Sequence, residues 1–367
     1  MRRENKTDGV LQLRQSQGED AQAITIKRVD GHEAIKYLGV HIAAVQEVSH
    51  SMDAILSKTI DIKQDIKSSN PTTLEPELEP VGEWLKLIDW LKNLNFSFFG
   101  YAAFNIDQHK KKVSLIKNSG LGILSKKYSK IDQDQTLNAL KRHVVRLQAY
   151  PTSFLFDTLN VKSPVQRLVN LLRLSIKIPL GDGKVLEHNI VGLLKRSSLL
   201  VKNIETPLIN LKIKHVFDAK HMLPGSYDYN EVSRICNEIP KYELFNTPAE
   251  ILLELCEFIM SITNPNDIYT FTRLRPNQKR FFIMVVMPTA LFTKTNINTL
   301  MAYIRETIPH SGEEVIRIYS EEKSRLHIYL DIKGEKEWQP DISNMEIDIR
   351  DKVKPWEERV KDLLIEH

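Results

Sequence analysis

FSFFGYAAFNID, residues 96–107, decides the fold of this chain. Its aromatic side chains favour the pleated backbone, and the run lacks the 3.6-residue spacing of a helix. Four further runs share its period of two: KKVSLIKN (111–118), SFLFDTLNV (153–161), RLSIKIPL (173–180) and KVLEHNIVGLLK (184–195). Gly181-Asp182-Gly183 joins the last two, a turn in which glycine reaches positive φ at low cost. With a single helical stretch near Leu137 to Gln148, these runs predict an antiparallel sheet in an α+β domain.

Upstream the pattern is helical. Residues 1–20 are polar and read as disordered, and AITIKRVD (23–30) reads as a short strand. From Ala34 the spacing changes, and Leu38, Ile42, Val45, Met52 and Ile55 fall on one stripe, with Gln46, Asp53 and Lys58 off it. A long amphipathic helix needs a partner for its apolar face. SSNPTTLEPELEPVG (68–82) is a linker, because its prolines block helix and ladder bonding alike. Trp84, Leu87, Ile88 and Leu91 then face one side of a compact helix.

Downstream, two helix starts are legible. Asp228-Tyr-Asn-Glu231 has the spacing of a capping box, and Thr247-Pro248-Ala249-Glu250 puts proline where the first helical N–H is not needed. The second helix is expected to bury Ile251, Leu252, Leu255, Ile259 and Ile262, and Asn264-Pro265-Asn266-Asp267 to stop it. IYTFTRLR (268–275), RFFIMVVMP (280–288), a helix from about Lys294 to Ile308, EEVIRIYS (313–320) and SRLHIYLDI (324–332) follow. That is β-β-α-β-β, a small sheet covered by helices on one face, and it has the economy of ACT-type modules. The tail from Lys354 begins another helix.

The bulk numbers are those of an ordinary globular protein, with a 42% hydrophobic and a 27% charged fraction. Lys and Arg total 51 against 47 Asp and Glu, a net charge of +4, which gives no concentrated basic face for nucleic acid. Two cysteines are too few for a disulfide framework and point to a reducing compartment. The N-terminus lacks the apolar centre of a signal peptide, and Phe281–Pro288, the longest apolar run, is strand length. The expectation is a cytoplasmic protein without membrane or nucleic-acid partners.

Candidate chemistry is sparse. Gly120-Leu121-Gly122 follows a strand, but Ser125 stands at the third glycine position and no acidic strand end follows about 20 residues on, so it reads as a turn. The sequence holds no GxxxxGK[ST], HExxH, paired CxxC or GxSxG motif. His215 and His221 have five residues between them and read as surface residues, and Cys236 and Cys256 as buried, inert thiols. His109-Lys110-Lys111-Lys112 and Lys126-Lys127 are solvated tips. The aromatics from Phe96 to Tyr101, the stretch most open to a pocket reading, are expected in the core. No residue is assigned a catalytic, cofactor-binding or metal-binding role.

Five motifs carry a family resemblance. LIDWLKNLNFSFFGYAAFNI (87–106) resembles a helix followed by F-x-F-x-G-Y in the large bacterial NAD-specific glutamate dehydrogenases. In the same order, Gly120-Leu-Gly-Ile-Leu124 is similar to their GLGIL, Ser163-Pro-Val-Gln-Arg167 to S-x-V-H-R, Leu223-Pro-Gly-Ser-Tyr-Asp228 to L-x-P-G-S-H-D, and Ile239-Pro-Lys-Tyr-Glu-Leu-Phe245 to Y-P-R-D-E-L-F. Gln166 and Tyr227 replace the family's histidines, so any binding role of those histidines is in doubt here.

The resemblance implies the N-terminal region of a larger subunit: a PAS-like antiparallel sheet domain, then an ACT-like α/β sandwich, with flanking helices. The expected division is a disordered start with a short strand (1–33), a linker helix (34–67), a Pro/Glu-rich linker (68–82), the PAS-like domain (83–227), helices plus the ACT-like domain (228–335), and a tail opening a helical segment (336–367). The family oxidises L-glutamate to 2-oxoglutarate with NAD, in a catalytic domain that the resemblance places downstream. The expectation is a regulatory or assembly region, inactive alone, that binds no cofactor itself. Its implied partners are the catalytic segment, further copies in a full-length homo-oligomer, and an amino-acid effector. A free-standing amino-acid-binding protein, a non-functional fragment of a split gene, and an enzyme with an unrecognised site remain open alternatives.

Overall fold

In a computed structural model the described residues are 31–73, 75–148, 152–166, 169–264, 266–275, 280–321, 323–333 and 341–353. The strand read at 23–30, the disordered start and the helix begun at Lys354 lie outside them. Mixed helix and antiparallel sheet is the observed class, in two sheets.

The first sheet is built from β1 (Phe96–Asp107), β2 (Lys112–Leu115), β3 (Leu121–Gly122), β4 (Phe154–Lys162), β5 (Asn170–Gly181) and β6 (Lys184–Leu194). Its order is β2-β1-β6-β5-β4, with β3 also paired to β1, and every pairing is antiparallel. β1 is buried on both faces: Phe96, Phe98 and Tyr101 enter one core, Phe99 and Phe104 another. A bulge between Phe98 and Gly100 brings Phe98 and Tyr101 onto one side. At the β5–β6 turn Gly181, Asp182 and Gly183 all have positive φ (86°, 49° and 66°), the conformation that the glycines were read to supply.

Helix α1 (Gly31–Ser68) crosses this sheet, with α2 (Val81–Trp90), α3 (Lys126–Ile131) and α4 (Gln135–Leu147) packed around it. The stripe that α1 buries is Ala44, Val48, Ser51, Ile55, Thr59, Ile62 and Ile66. Leu38, Ile42 and Val45 are instead exposed, and of the expected stripe only Ile55 is buried, with Met52 half-buried. The buried stripe alternates small side chains (Ala44, Ser51, Thr59) with β-branched ones (Val48, Ile55, Ile62, Ile66), and the helix packs along β1 and β3. Trp84, Leu87, Ile88 and Leu91 are buried as read, with Trp84 stacked on Phe154 at 4.5 Å.

Four helices follow β6 after a short α5 (Arg196–Leu200): α6 (Ile209–Ala219), α7 (Tyr227–Glu238), α8 (Lys241–Asn246) and α9 (Ala249–Met260). α6 and α8 are not among the expected helices, although Pro207 and Pro240 stand just ahead of them as Pro248 does ahead of α9. The caps also differ from expectation. α7 begins one residue before Asp228, and the Ser226 hydroxyl accepts from the Tyr229 amide. At α9, Pro248 is the cap residue itself, and Ala249 N–H donates to Glu75 from the distant linker at 2.9 Å. On α9, Leu252 and Leu255 are buried, Ile251 and Ile259 are half-buried, and Ile262, also half-buried, lies beyond the end of the helix.

The second sheet holds β7 (Tyr269–Arg275), β8 (Arg280–Pro288), β9 (His310–Ile318) and β10 (Lys323–Ile332), in the order β7-β8-β10-β9, all antiparallel. β8 and β9 run the same way, joined through α10 (Lys294–Thr307), with β10 between them, a split β-α-β unit. α10 and α11 (Ile342–Val353) cover one face over Ile283, Val285, Leu326 and Ile328. The other face is covered too, against the expectation of a one-sided sheet. Phe271, Met284, Val286 and Tyr329 join Leu174, Ile213, Val232 and Leu252 in one continuous core. The α6–α9 layer is therefore sandwiched between the two sheets and packs on both.

Candidate functional site

A network of buried polar side chains lies on the α4 side of the first sheet. Arg173, in mid-β5 and 1% exposed, donates to Asp157 on β4 through Nε (3.0 Å) and Nη2 (3.1 Å), and to Glu187 and Asn189 on β6 at 3.0 Å each. Glu187 also accepts from Ser175 at 2.7 Å, and His143 of α4 is 2.7 Å from Asp157. Burial alone raises the Asp157 pKa, but Arg173 and His143 outweigh it and hold the carboxyl below the ordinary range. Burial lowers the His143 pKa against the pull of Asp157, and burial brings Lys177, whose ammonium donates to Leu147 C=O at 2.7 Å, down to about 8. Each charge has a fixed partner, the condition under which buried ions are tolerated.

A second cluster joins the sheets. Arg280 opens β8 and meets Glu243 of α8 at 2.7 Å, Glu314 of β9 at 3.3 Å and Asp331 of β10 at 3.7 Å. Burial would lower its pKa, yet these carboxylates raise it above the usual arginine value. Arg146 of α4 reaches the same Asp331 at 3.4 Å, and the Tyr242 hydroxyl donates to Glu314. Asn246 closes the edge of β4, donating to Phe156 C=O and accepting from its N–H at 3.4 Å, so this edge offers no free ladder there. Between the clusters lies a cavity of about 20 Å³ lined by His143, Arg146, Asp157, Asn246 and Arg280, which is one water's room. Beside it a groove of about 420 Å³ runs between Leu172, Leu194, Leu199, Tyr242 and Glu314.

The helical layer carries its own buried ion. The Lys212 ammonium on α6 sits 2.5 Å from Glu79 and donates to the carbonyls of Leu244, Phe245 and Thr247 at 3.2, 3.0 and 2.9 Å. These are end carbonyls of α8 and the turn beyond it, which a cation satisfies.

The residues singled out from sequence are dispersed. Gly122 (φ 61°) and Gly120 serve close packing: a Cβ would lie 2.1 Å from Phe99 O at the first and 2.2 Å from Leu124 O at the second. The GLG run is a pressed turn against β1. His215 pairs with Glu250 at 3.0 Å, and His221 is exposed at the end of α6. Cys236 and Cys256 are buried, as read, and their Sγ atoms are 4.0 Å apart, a proximity that their sequence separation does not reveal. Lys110–Lys112 cap the exposed β1–β2 turn, while Lys127 pairs with Glu47 at 3.2 Å. Phe96 to Tyr101 are core, apart from half-buried Ser97, and Tyr101 hydrogen-bonds His188 at 2.7 Å. Among the described residues no cluster of His, Cys, Asp or Glu suits a metal, and no helix is long and apolar enough to cross a membrane. Sequence reasoning missed Arg173, Arg280 and Lys212; a charged residue inside an otherwise apolar strand or helix face was the available signal.

Comparison with known proteins bears on this layer directly. The family model "Glutamate dehydrogenase, helical motif 1" matches residues 206–264, which run from the turn before α6 to just beyond α9. The chain is 20% identical over 298 residues to the NAD-specific glutamate dehydrogenase of Pseudomonas aeruginosa, covering 80% of this chain and 18% of that protein. To the protein of the same name from Halomonas elongata it is 20% identical over 83% of this chain and 19% of the relative. To that of Mycobacterium tuberculosis it is 23% identical over 69% of this chain and 14% of the relative. The chain thus spans less than a fifth of the length of these relatives. Ordered motifs, family model and relatives agree: the chain is homologous to a part of the NAD-specific glutamate dehydrogenases.

Proposed function

We propose that this chain is the N-terminal regulatory and assembly region of an NAD-specific glutamate dehydrogenase, working in the cytoplasm beside a catalytic segment that oxidises L-glutamate with NAD. The observation that carries the reading is the placement of the helical-motif match. It falls on a helical layer whose residues share one continuous core with both sheets, so a partner seated on that layer reaches both. The first sheet, with its main strands ordered β2-β1-β6-β5-β4 and every pairing antiparallel, supports a PAS-like unit within 83–227. The split β-α-β of the second sheet supports an ACT-like unit within 228–335.

Chemistry supports a non-catalytic role for these residues. Every strand pairing among the described residues is antiparallel, so no parallel-sheet crevice receives a dinucleotide. The buried arginines and Lys212 are tied to carboxylates of the chain itself. An amino-acid effector would take the groove of about 420 Å³, whose size suits a small ligand, with Glu314 and Lys162 on its wall for the ammonium and the carboxylate. Such a ligand shifts the enzyme only to the extent that it favours one arrangement of the two sheets over another.

The purified chain tests the first half of this reading. Mixed with L-glutamate and NAD it is expected to form no NADH, and calorimetric titration with NAD is expected to give no heat of binding. Turnover, or saturable nucleotide binding, would overturn it.

A further inference from the structure

We propose that Cys236 and Cys256 form a thiol–disulfide modification site that ties α7 to α9 when a small disulfide oxidant enters from the groove beside Cys256. The chain has only two cysteines, and the fold brings them together from different helices, with their Sγ atoms 4.0 Å apart and both residues buried. A disulfide has an S–S length of about 2.05 Å, so each sulfur has about 1 Å to travel, the scale of a side-chain rotation. No atom needs to leave the space between them.

Access is one-sided. A groove of about 480 Å³ between α6, α7 and α9 is floored by Cys256, Met222, Leu253 and Met260, with Lys220, Asp228 and Glu257 on its walls. Cys236 does not line it. A reagent from solvent therefore meets Cys256 first, and Cys236 stands behind as the resolving thiol.

The electron count closes with a low-molecular-weight disulfide as the oxidant. The Cys256 thiol loses its proton and attacks one sulfur of R–S–S–R, forming a mixed disulfide and releasing RS⁻, which takes up that proton. Cys236 then loses its proton and attacks Cys256 Sγ, forming the internal bond and expelling a second RS⁻, which is protonated in turn. Two protein thiols are oxidised, and one external disulfide is reduced to two thiols. In the reduced pair, contact with Cys256 and burial raise the Cys236 thiol well above the usual range, which leaves the first attack to Cys256 on the groove.

The test is oxidised glutathione in excess over the folded, full-length chain, followed by intact-mass and peptide mapping. The expected result is loss of both free thiols, a mass lower by two hydrogens and a Cys236–Cys256 linked peptide, reversed by dithiothreitol. Cys236→Ala is expected to stop at a glutathione adduct on Cys256, and Cys256→Ala to leave Cys236 unmodified. The measurement on the unaltered chain stands even if a variant fails to fold. Two intact thiols after prolonged exposure, or cross-links only between chains, would overturn the proposal, and adduct formation first at Cys236 would overturn the direction of attack.

Discussion

Lys212 and Glu79 form an ion pair with almost no exposed surface, 0% and 1% for the two side chains, at the point where the linker before α2, the α6 helix and the end of α8 meet. Neither element is held there by hydrophobic contact alone. The ammonium satisfies a carboxylate and three backbone carbonyls at once, so removing it exposes four acceptors to an environment without water.

Replacing Lys212 by methionine is therefore expected to destabilise the chain by about 3–5 kcal/mol, the cost of stranding a buried partner charge. Glu79→Leu added to Lys212→Met should recover part of the loss, since the orphaned carboxylate goes with it. Urea midpoints of the single and double variants decide the matter. A single variant within 1 kcal/mol of the unaltered chain would contradict the arrangement.

Acid sensitivity should come from neutral, buried histidines. Burial, aided by Arg325, drives His327 down to about 3, against about 6.5 in an unfolded chain. Between those values the unfolded state takes the proton and the folded state does not, so stability is full above about pH 6.5 and falls by up to about 1.4 kcal/mol per unit as pH drops. From pH 6.5 to 5 the loss from this residue is about 2 kcal/mol. His327→Gln is expected to flatten the melting temperature against pH across that interval; an unchanged slope would show that His327 does not carry it.

Gly122→Ala should be among the most damaging small changes, costing at least about 2 kcal/mol, because the new Cβ adds left-handed strain to a collision with Phe99 O. Gly225→Ala is the control: its φ is also positive, at 85°, but nothing lies within 4 Å, and about 1 kcal/mol is expected. Thermal denaturation of the pair separates packing from backbone strain.

Arg280 links three carboxylates from α8, β9 and β10. Arg280→Met leaves them facing one another, and the expected outcome is a lowered first melting transition that separates from a second. A single, unshifted transition in calorimetry would show that this cluster does not couple the sheets.

Much of this architecture was legible because the strands announce themselves. Phe96–Asp107 and Arg280–Pro288 begin and end where period and turn residues set them. Less legible was everything decided by a distant partner. On α1 the large residues Leu38, Ile42 and Val45 suggested the buried side, but the sheet meets the neighbouring stripe of Ala44, Val48, Ile55, Ile62 and Ile66. The Asp228 capping box lost to Ser226, an equally good cap already in place two residues earlier. Glu75, capping α9 from 174 residues away, has no local signature at all. The polar clusters were hidden for the same reason, since Arg173 and Asp157 look like surface residues until β4, β5 and β6 align.

The central claim is that these residues serve a separate glutamate-oxidising part, and the most direct test is association. The purified chain is mixed with the catalytic segment of the NAD-specific glutamate dehydrogenase from the same organism, and the mass of the species formed is read by light scattering after size exclusion. The account predicts a stable complex in which the α6–α9 layer becomes protected from hydrogen exchange. Two folded components that elute separately at micromolar concentration, with exchange in α6–α9 unchanged, would contradict it.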